Sequence, residues 1–169
     1  VEEIVLMGGG FFEGGNITPA AEFNIYVDPE AAKIVLESGV KITMLPLDVT
    51  HKTLVQRDFL EKLRGSGKNS AIQAAKLLDF FERYDVEKYG SQGGPLHDPN
   101  VIVYLLNPEI YNGKLVNVEI ECNSELTRGM TVVDWWNVTD RKPNAYYIND
   151  VKEKKFFETV LNNVLNLEI

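Results

Sequence analysis

A short stretch near the N-terminus, residues 14–30, combines two adjacent glycines with a cluster of polar side chains. Asn16, Glu22 and Asn24 interrupt residues that are otherwise mostly apolar. Because a carboxylate accepts hydroxyl protons and a side-chain amide both donates and accepts, this cluster predicts a pocket that binds vicinal hydroxyls. The alternative is that the three side chains only cap a helix or bond to nearby turns. Composition alone favours this alternative, because Asn and Glu usually face solvent.

Helix signals in the same stretch limit how the cluster can be arranged. Thr18 and Asp28 each precede a proline, which is typical of a helix N-cap followed by the first helical residue. On a regular helix Glu22 and Asn24 would point about 200° apart, so an unbroken helix could not direct both into one pocket. We therefore expect either a helix of a single turn or a purely structural role for one of the two residues.

His97 and Asp98 form the second candidate site, after a glycine-rich loop at 90–95. Asp98 precedes a proline and could simply cap a helix. The adjacent histidine favours a further role, because an imidazole can act as an acid while the carboxylate binds a cation. His51, the other histidine, follows a predicted strand and is equally well explained as a surface or capping residue.

Aromatic residues are further candidates. Tyr84 and Tyr89 lie in an aromatic and charged segment, where core packing is the simplest explanation, although their hydroxyls indicate a wet edge. Trp135 and Trp136 predict a strand with one indole inside and one outside. Cys122, the single cysteine, is expected to be a small buried side chain, and it excludes an internal disulfide.

Alternating strand and helix patterns predict the elements that position these residues. Residues 4–7 form a continuous apolar run that ends in three glycines, as expected of a buried parallel strand whose carboxyl end faces a ligand. The other predicted strands are 40–47, 115–122, 130–133 and 145–148, the last two as antiparallel additions. The predicted helices are 28–39, 53–63, one that starts at 69 or 70, 101–106 (apolar on nearly all sides and therefore buried) and 151–165. Together they predict an α/β fold with an open, mainly parallel sheet flanked by helices, in a single domain covering 1–169.

Overall composition restricts the partners and the location of the protein. A net charge of −8 disfavours a nucleic-acid partner. No apolar run approaches about 18 residues, so no membrane span is expected. The acidic start does not match a secretory signal, and one free thiol is compatible with a reducing compartment, so we expect a cytoplasmic protein. The chain begins directly on a strand-like run, which resembles the middle of a domain.

Five stretches, taken in order, resemble one enzyme family over essentially the whole chain. They read VLMGGG, GNITPAAEFNIYVDPEAA, MLPLDVT, PLHDP and TRGMTVVDWW. The chain is thereby similar to the nucleoside hydrolase family, the inosine–uridine preferring N-ribohydrolases, and PLHDP and TRGMTVVD most resemble its pyrimidine-specific branch. The resemblance implies the nucleoside hydrolase α/β fold, a dimeric or tetrameric assembly, and hydrolysis of the N-glycosidic bond of ribonucleosides to ribose and base in nucleoside salvage.

The same resemblance implies roles for particular residues. It implies a Ca²⁺ at the carboxyl edge of the sheet that holds the ribose 2′- and 3′-hydroxyls and a nucleophilic water. The ribose-binding residues that it implies are Asn16, Glu22, Asn24 and Met7. Asp98 resembles a calcium ligand, and His97 resembles the catalytic residue that helps the base to depart. Tyr84 and Tyr89 resemble mobile aromatic residues placed over the base.

One departure from the family pattern changes what is expected of this chain. The family's aspartate cluster, of the form DxDxxxDD, has no counterpart here, because Asp28, Asp48 and Asp58 are isolated. The resemblance therefore covers only the C-terminal half to three-fifths of a nucleoside hydrolase, without its N-terminal strands. Because Ca²⁺ needs about six to eight oxygen ligands, we expect the chain alone to be inactive. Two alternatives stay open: an inactive remnant that binds a ribosyl ligand, and one half of a split enzyme with a complementary N-terminal chain.

Overall fold

A computed structural model describes residues 1–89 and 93–167, while the side chains of 81–89 lie outside this description. The strands in these ranges are β1 (Glu3–Met7), β2 (Lys41–Leu45), β3 (Tyr111–Val116), β4 (Val118–Ile120), β5 (Thr131–Val133) and β6 (Ala145–Val151). The main sheet has the order β1-β2-β6-β3. β1 and β6 run parallel to β2, and β3 runs antiparallel to β6. The predicted α/β class with a mainly parallel sheet and additional antiparallel strands is confirmed.

Helices connect and flank these strands. They are α1 (Phe23–Val27), α2 (Pro29–Glu37), α3 (Leu47–Thr50), α4 (Arg57–Gly65), α5 (Asn69–Tyr89), α6 (Pro99–Leu106) and α7 (Glu153–Asn166), with a short 3₁₀ helix at Pro108–Ile110. Across the described parts of the chain, none of the helices combines the length and the apolar character that crossing a membrane requires.

Two compact units can be distinguished in the chain. The first consists of Val1–Val49 and Tyr111–Val151 and contains both the main sheet and the β4–β5 pair. The second consists of Thr50–Ile110 together with the residues from Lys152 onward, and it is built from α4, α5, α6 and α7. The first unit is therefore formed by two separate segments of the chain.

The core of the first unit explains why its strands form. Met44 and Leu45 of β2 and Tyr147 of β6 are fully buried, as expected for central strands covered on both faces. β4, β5 and α2 add further apolar side chains to this core, among them Val118, Val133 and Leu36. Helix α2 begins as the sequence predicts, because the Asp28 carboxylate accepts the backbone N–H of Ala31 at 3.0 Å and Pro29 occupies the first helical position.

Two helix starts differ from the prediction because backbone pairing overrides local signals. The Thr18 hydroxyl accepts N–H groups of Ala20 and Ala21, but it closes a turn, and α1 begins only at Phe23. Ala21 forms an isolated bridge with Met130, which holds the backbone extended at the predicted helix. The predicted helix at 53–63 begins only at 57, because Leu54 pairs with Pro95.

The strand predictions also need correction. The predicted strand 40–47 ends at Leu45 and is followed directly by α3. The predicted strand 115–122 is broken at Asn117, where the chain passes from the main sheet into the β4–β5 pair. The strand predicted at 145–148 is β6, which is central and parallel to β2 rather than an antiparallel addition beside 130–133. Its partner lies far away in the sequence, so no local pattern could indicate the pairing.

Two predictions of burial were partly wrong. Helix α6 is not buried all round, because Ile102, Leu105 and Leu106 are each more than half exposed within the described chain. The apolar composition of a helix does not show how many other elements cover it. In this structure α6 packs mainly on α7 and the 3₁₀ helix. The two tryptophans do lie one packed and one exposed, but in a turn after β5 rather than in a strand.

Candidate active site

The Glu22 side chain is the centre of the polar cluster in the first unit. It is 2% exposed and acts as the N-cap of α1. One carboxylate oxygen accepts the backbone N–H groups of Gly9 at 3.0 Å and Ile25 at 3.3 Å, and the other accepts the N–H of Asn24 at 2.9 Å. The carboxylate therefore joins the start of α1 to the glycine-rich loop at the carboxyl end of β1.

The other candidates of the first unit lie around the same helix start. The side-chain amide oxygen of Asn16 (Oδ1) accepts a hydrogen bond from the backbone N–H of Phe23 at 2.8 Å. The Asn24 amide donates to the backbone oxygen of Met7 at 3.4 Å and lies 3.3 Å from its sulfur. The structure thus brings all four predicted ribose-binding residues together around the start of α1, which is a helix of a single turn. It also contains the local capping bonds that the alternative interpretation required.

A glycine is required in the loop that contacts Glu22. Gly9 has φ +82°, a left-handed conformation that disfavours side chains. A Cβ there would lie 2.8 Å from the hydroxyl of Thr131, which is buried and has no hydrogen-bond partner within the described residues. Close packing beneath the loop therefore excludes a side chain at this position.

Asp48 is a buried carboxylate. From the sequence it was described only as an isolated aspartate that follows a predicted strand, with no role assigned. It is 4% exposed and accepts the backbone N–H of Phe11 at 3.0 Å and that of Glu13 at 2.7 Å. The Tyr147 hydroxyl donates a short hydrogen bond to the same carboxylate. Burial, and next the neighbouring Asp48 charge, raise the pKa of Tyr147 well above its usual range, so this hydroxyl keeps its proton. Asp48 therefore anchors the second half of the glycine-rich loop.

His97 lies in the second unit and is partly buried. Its Nδ1 lies 2.8 Å from the hydroxyl of Thr50, and its ring centre lies 5.8 Å from that of His51. Burial, and next the neighbouring His51, lower the pKa of His97 to about 4, although Asp98 opposes the shift. The ring is therefore neutral near pH 7.

A buried polar network fixes the two segments that meet at His97. Thr50, Thr53 and Asn100 are each 0% exposed. The Thr53 hydroxyl donates to the Thr50 carbonyl at 2.9 Å and accepts from the Asn100 amide at 2.9 Å. The same amide also donates to the carbonyl of Leu96, whose N–H donates to the carbonyl of Thr53 at 3.0 Å. Sequence reasoning missed this network, because Thr and Asn give no signal for burial.

Asp98 is exposed and precedes α6 without accepting a capping hydrogen bond from that helix. Simple N-capping by its side chain is therefore absent. Among the side chains that the structure describes, residues 1–80 and 93–167, no group of three or more His, Cys, Asp or Glu residues could hold a metal ion. Since Ca²⁺ requires about six to eight oxygens, the residues described here do not form a calcium site by themselves. The side chains of Tyr84 and Tyr89 lie outside the described residues.

Comparisons with known proteins place this geometry in context. An uncharacterized protein of Schizosaccharomyces pombe is 46% identical over 163 residues, which cover 96% of this chain and 53% of that protein. Pyrimidine-specific ribonucleoside hydrolase RihA of Shigella boydii is 46% identical over 165 residues, 97% of this chain and 53% of its own length. The structure of a purine-preferring ribonucleoside hydrolase from Gardnerella vaginalis matches with a TM-score of 0.86 at 28% identity, over 98% of this chain and 54% of that one.

The chain spans about half the length of the relatives it matches. The sequence model of the family described as inosine-uridine preferring nucleoside hydrolase matches residues 1–158. The matched range includes the first unit, most of the second and every candidate residue described above. The chain therefore belongs to the nucleoside hydrolase family.

Proposed function

We propose that this chain supplies the ribose-binding and leaving-group residues of a ribonucleoside hydrolase, which cleaves the N-glycosidic bond to give ribose and base. The observation that carries the proposal is the buried Glu22 carboxylate. It is held by three backbone N–H groups at the carboxyl end of a parallel strand, where α/β proteins bind their ligands. A carboxylate that is already held in this orientation can accept a hydrogen bond from a sugar hydroxyl without any further ordering of its side chain.

The acceptor capacity of the cluster supports ribose binding. A carboxylate has about four acceptor positions, and backbone N–H groups use three of those of Glu22. One position is thus left for a sugar hydroxyl. The Asn24 amide group donates to Met7 and lies on an exposed residue, so its carbonyl can accept a second hydroxyl. A vicinal diol is the ligand that fits two such acceptors.

Departure of the base is the role that we propose for His97. A nucleobase leaves a ribose more easily when a donor stabilises the negative charge that develops on it. His97 is held in place by its hydrogen bond to Thr50, and its ring is neutral near pH 7. It therefore acts as a positioned N–H donor to the base rather than as a resting imidazolium.

The proposed dependence on Ca²⁺ needs groups beyond the described residues. Asp98 offers one exposed carboxylate, which is too few for a calcium site. We therefore propose that the chain works with complementary residues, either in one polypeptide or in a split enzyme, since its relatives are about twice as long; an inactive remnant is the alternative. A cytoplasmic location and a dimeric or tetrameric assembly are proposals that rest on the family resemblance alone.

The preference for pyrimidine nucleosides is supported by the degree of similarity. The pyrimidine-specific relative of Shigella boydii is 46% identical to this chain, whereas the purine-preferring one of Gardnerella vaginalis is 28% identical. A comparison of kcat/KM for uridine and inosine, with the complementary half present, tests this preference. A higher value for inosine would contradict it.

Replacement of Asn24 tests ribose binding. In the chain supplied with the N-terminal half of a relative, Asn24→Ala is expected to lower kcat/KM for uridine by roughly tenfold or more, because one hydrogen bond to the sugar is lost. Stability should change little, since Asn24 is exposed and its bond to Met7 is long. Asn163→Ala, at an exposed amide on α7, is the control and should leave kcat/KM unchanged. Equal rates for the two variants would remove Asn24 from the site.

Replacement of His97 tests the leaving-group role in the same complemented enzyme. His97→Ala is expected to slow hydrolysis of uridine by roughly 10²–10³-fold, the range typical of losing one hydrogen-bond donor to a developing negative charge. Hydrolysis of p-nitrophenyl riboside should be affected far less, because nitrophenolate leaves without a donor. The measurement is the ratio of the two kcat values. If both substrates slow by the same factor, His97 has another role.

A further inference from the structure

The hydroxyl of Thr50 is buried beside His97. Thr50 is 0% exposed, so solvent does not reach its side chain. Among the residues whose side chains the structure describes, 1–80 and 93–167, its Oγ1 has one hydrogen-bond partner, the Nδ1 atom of His97 at 2.8 Å. A hydroxyl can donate one hydrogen bond, and a buried hydroxyl that fails to donate loses roughly 1–3 kcal/mol. The hydrogen of this hydroxyl is therefore expected to point at Nδ1, so that the hydroxyl is the donor.

This geometry decides which ring nitrogen of His97 carries the proton. A neutral imidazole has one donor nitrogen and one acceptor nitrogen, and the bond made by one of them fixes the other. If Nδ1–H donated to Thr50, the hydroxyl hydrogen would have no acceptor in the described structure. We infer that Thr50 donates to Nδ1 and is a positioning residue that holds His97 as the Nε2–H tautomer.

The surrounding network makes the contact between Thr50 and His97 rigid. The carbonyl of Thr50 accepts the hydroxyl of Thr53 and so fixes the backbone beneath the donor. On the other side, the N–H of Leu96, next to His97, donates to Thr53 at 3.0 Å, and the N–H of Val55 donates to Gly94 at 2.9 Å. Both segments are thus bonded to each other immediately before the histidine, so the 2.8 Å distance does not depend on one side chain alone.

The consequence concerns the leaving-group role and rests on the proposed function. A histidine held as the Nε2–H tautomer presents a donor, not an acceptor, from the nitrogen that faces away from Thr50. A donor is what a departing nucleobase requires, since negative charge develops on its ring atoms. Thr50 would therefore act on the reaction through His97, without touching the substrate.

Nitrogen NMR of the complete 169-residue chain tests the inference without any need for hydrolysis. With ¹⁵N-labelled histidine at mildly alkaline pH, where imidazoles are neutral, His97 is expected to show a protonated Nε2 and an unprotonated Nδ1 that accepts a hydrogen bond. His51→Gln leaves His97 as the single histidine and so assigns the signals. In Thr50→Val the Nδ1 signal should lose the hydrogen-bond shift, and the Nδ1–H form should become detectable. Thr50→Ser should restore the wild-type signals.

Thr131→Val provides a matched control. It makes the same change at another buried threonine, whose hydroxyl has no partner within the described residues, so the signals of His97 should stay in place. A wild-type ring protonated on Nδ1 would overturn the inference, and so would an Nδ1 signal unchanged in Thr50→Val. If Thr50→Val does not fold, Thr50→Ser decides, because a serine that fails to keep the Nε2–H form contradicts donation by the hydroxyl. An enzyme with no nucleosidase activity would refute the proposed function and leave the tautomer measurable.

Discussion

The 169-residue chain alone is expected to release no ribose from uridine, inosine or p-nitrophenyl riboside, whether or not Ca²⁺ is added. The reason is the number of ligands, because the described residues contain no group of three acidic, cysteine or histidine side chains able to hold a metal ion. Nor do they place a carboxylate that could serve as the base for water beside such an ion. A positioned base alone is worth roughly 10²–10⁴-fold in rate.

A reducing-sugar assay on the purified chain measures this prediction. Addition of the N-terminal half of a relative, as a separate polypeptide or as a fusion, is expected to restore turnover. In the restored enzyme, Asp98→Ala should weaken the dependence on Ca²⁺ and slow both natural and nitrophenyl substrates. Metal-dependent turnover by the chain alone would show that the ligand count is wrong. Failure of every complementing half, with the chain folded and able to bind ribose, would favour the inactive remnant.

Replacement of Asp48 by alanine is expected to produce the largest loss of stability among the single changes considered. Three donors bind this carboxylate, namely the N–H groups of Phe11 and Glu13 and the hydroxyl of Tyr147. Each buried donor left without a partner costs roughly 1–3 kcal/mol, so the variant should lose about 3 kcal/mol or more. For a domain whose stability is roughly 5–15 kcal/mol, this is a large fraction.

Urea unfolding, followed by circular dichroism, gives the free energies of unfolding. Asp58→Ala is the matched control, because Asp58 is exposed and pairs with Lys62 at 3.3 Å one helical turn away, an arrangement worth well under 1 kcal/mol. Tyr147→Phe removes one of the three donors and should fall between the two, at about 1–2 kcal/mol. If Asp48→Ala proved as stable as Asp58→Ala, the carboxylate would not anchor the glycine-rich loop.

The parts of the candidate site that depend on short-range chemistry could be predicted from the sequence. The apolar run before three glycines indicated β1 and its loop, and Asp28 with the following proline indicated the start of α2. The angle between Glu22 and Asn24 required either a helix of one turn or a purely structural role for one of them, and the first alternative is the one observed. α1 is a single turn, and Glu22 is its cap.

The parts that depend on distant contacts could not be predicted. The role of Asp48 depends on its hydrogen bond with Tyr147. The role of Thr50 depends on its hydrogen bond with His97, which lies 47 positions later in the chain. Burial decides what a hydroxyl or a carboxylate does, and burial is set by the rest of the fold. The strand predicted at 145–148 is present, but its place in the sheet was predicted wrongly for the same reason, since a strand in isolation carries no information about its neighbours.

The position of β6 in the sheet also determines the order in which the first unit can fold. β1, α1, α2 and β2 form a contiguous strand–helix–strand segment that is complete by Leu45. The next pairing, of Thr43 with Tyr146, joins residues more than a hundred positions apart. Closing so long a loop adds little to the entropic cost but slows folding, because nonlocal contacts form late. On the ribosome, the hydroxyl of Tyr147 thus reaches Asp48 only after the whole of Thr50–Ile110 has been synthesised, so the anchor of the glycine-rich loop gains its third donor late.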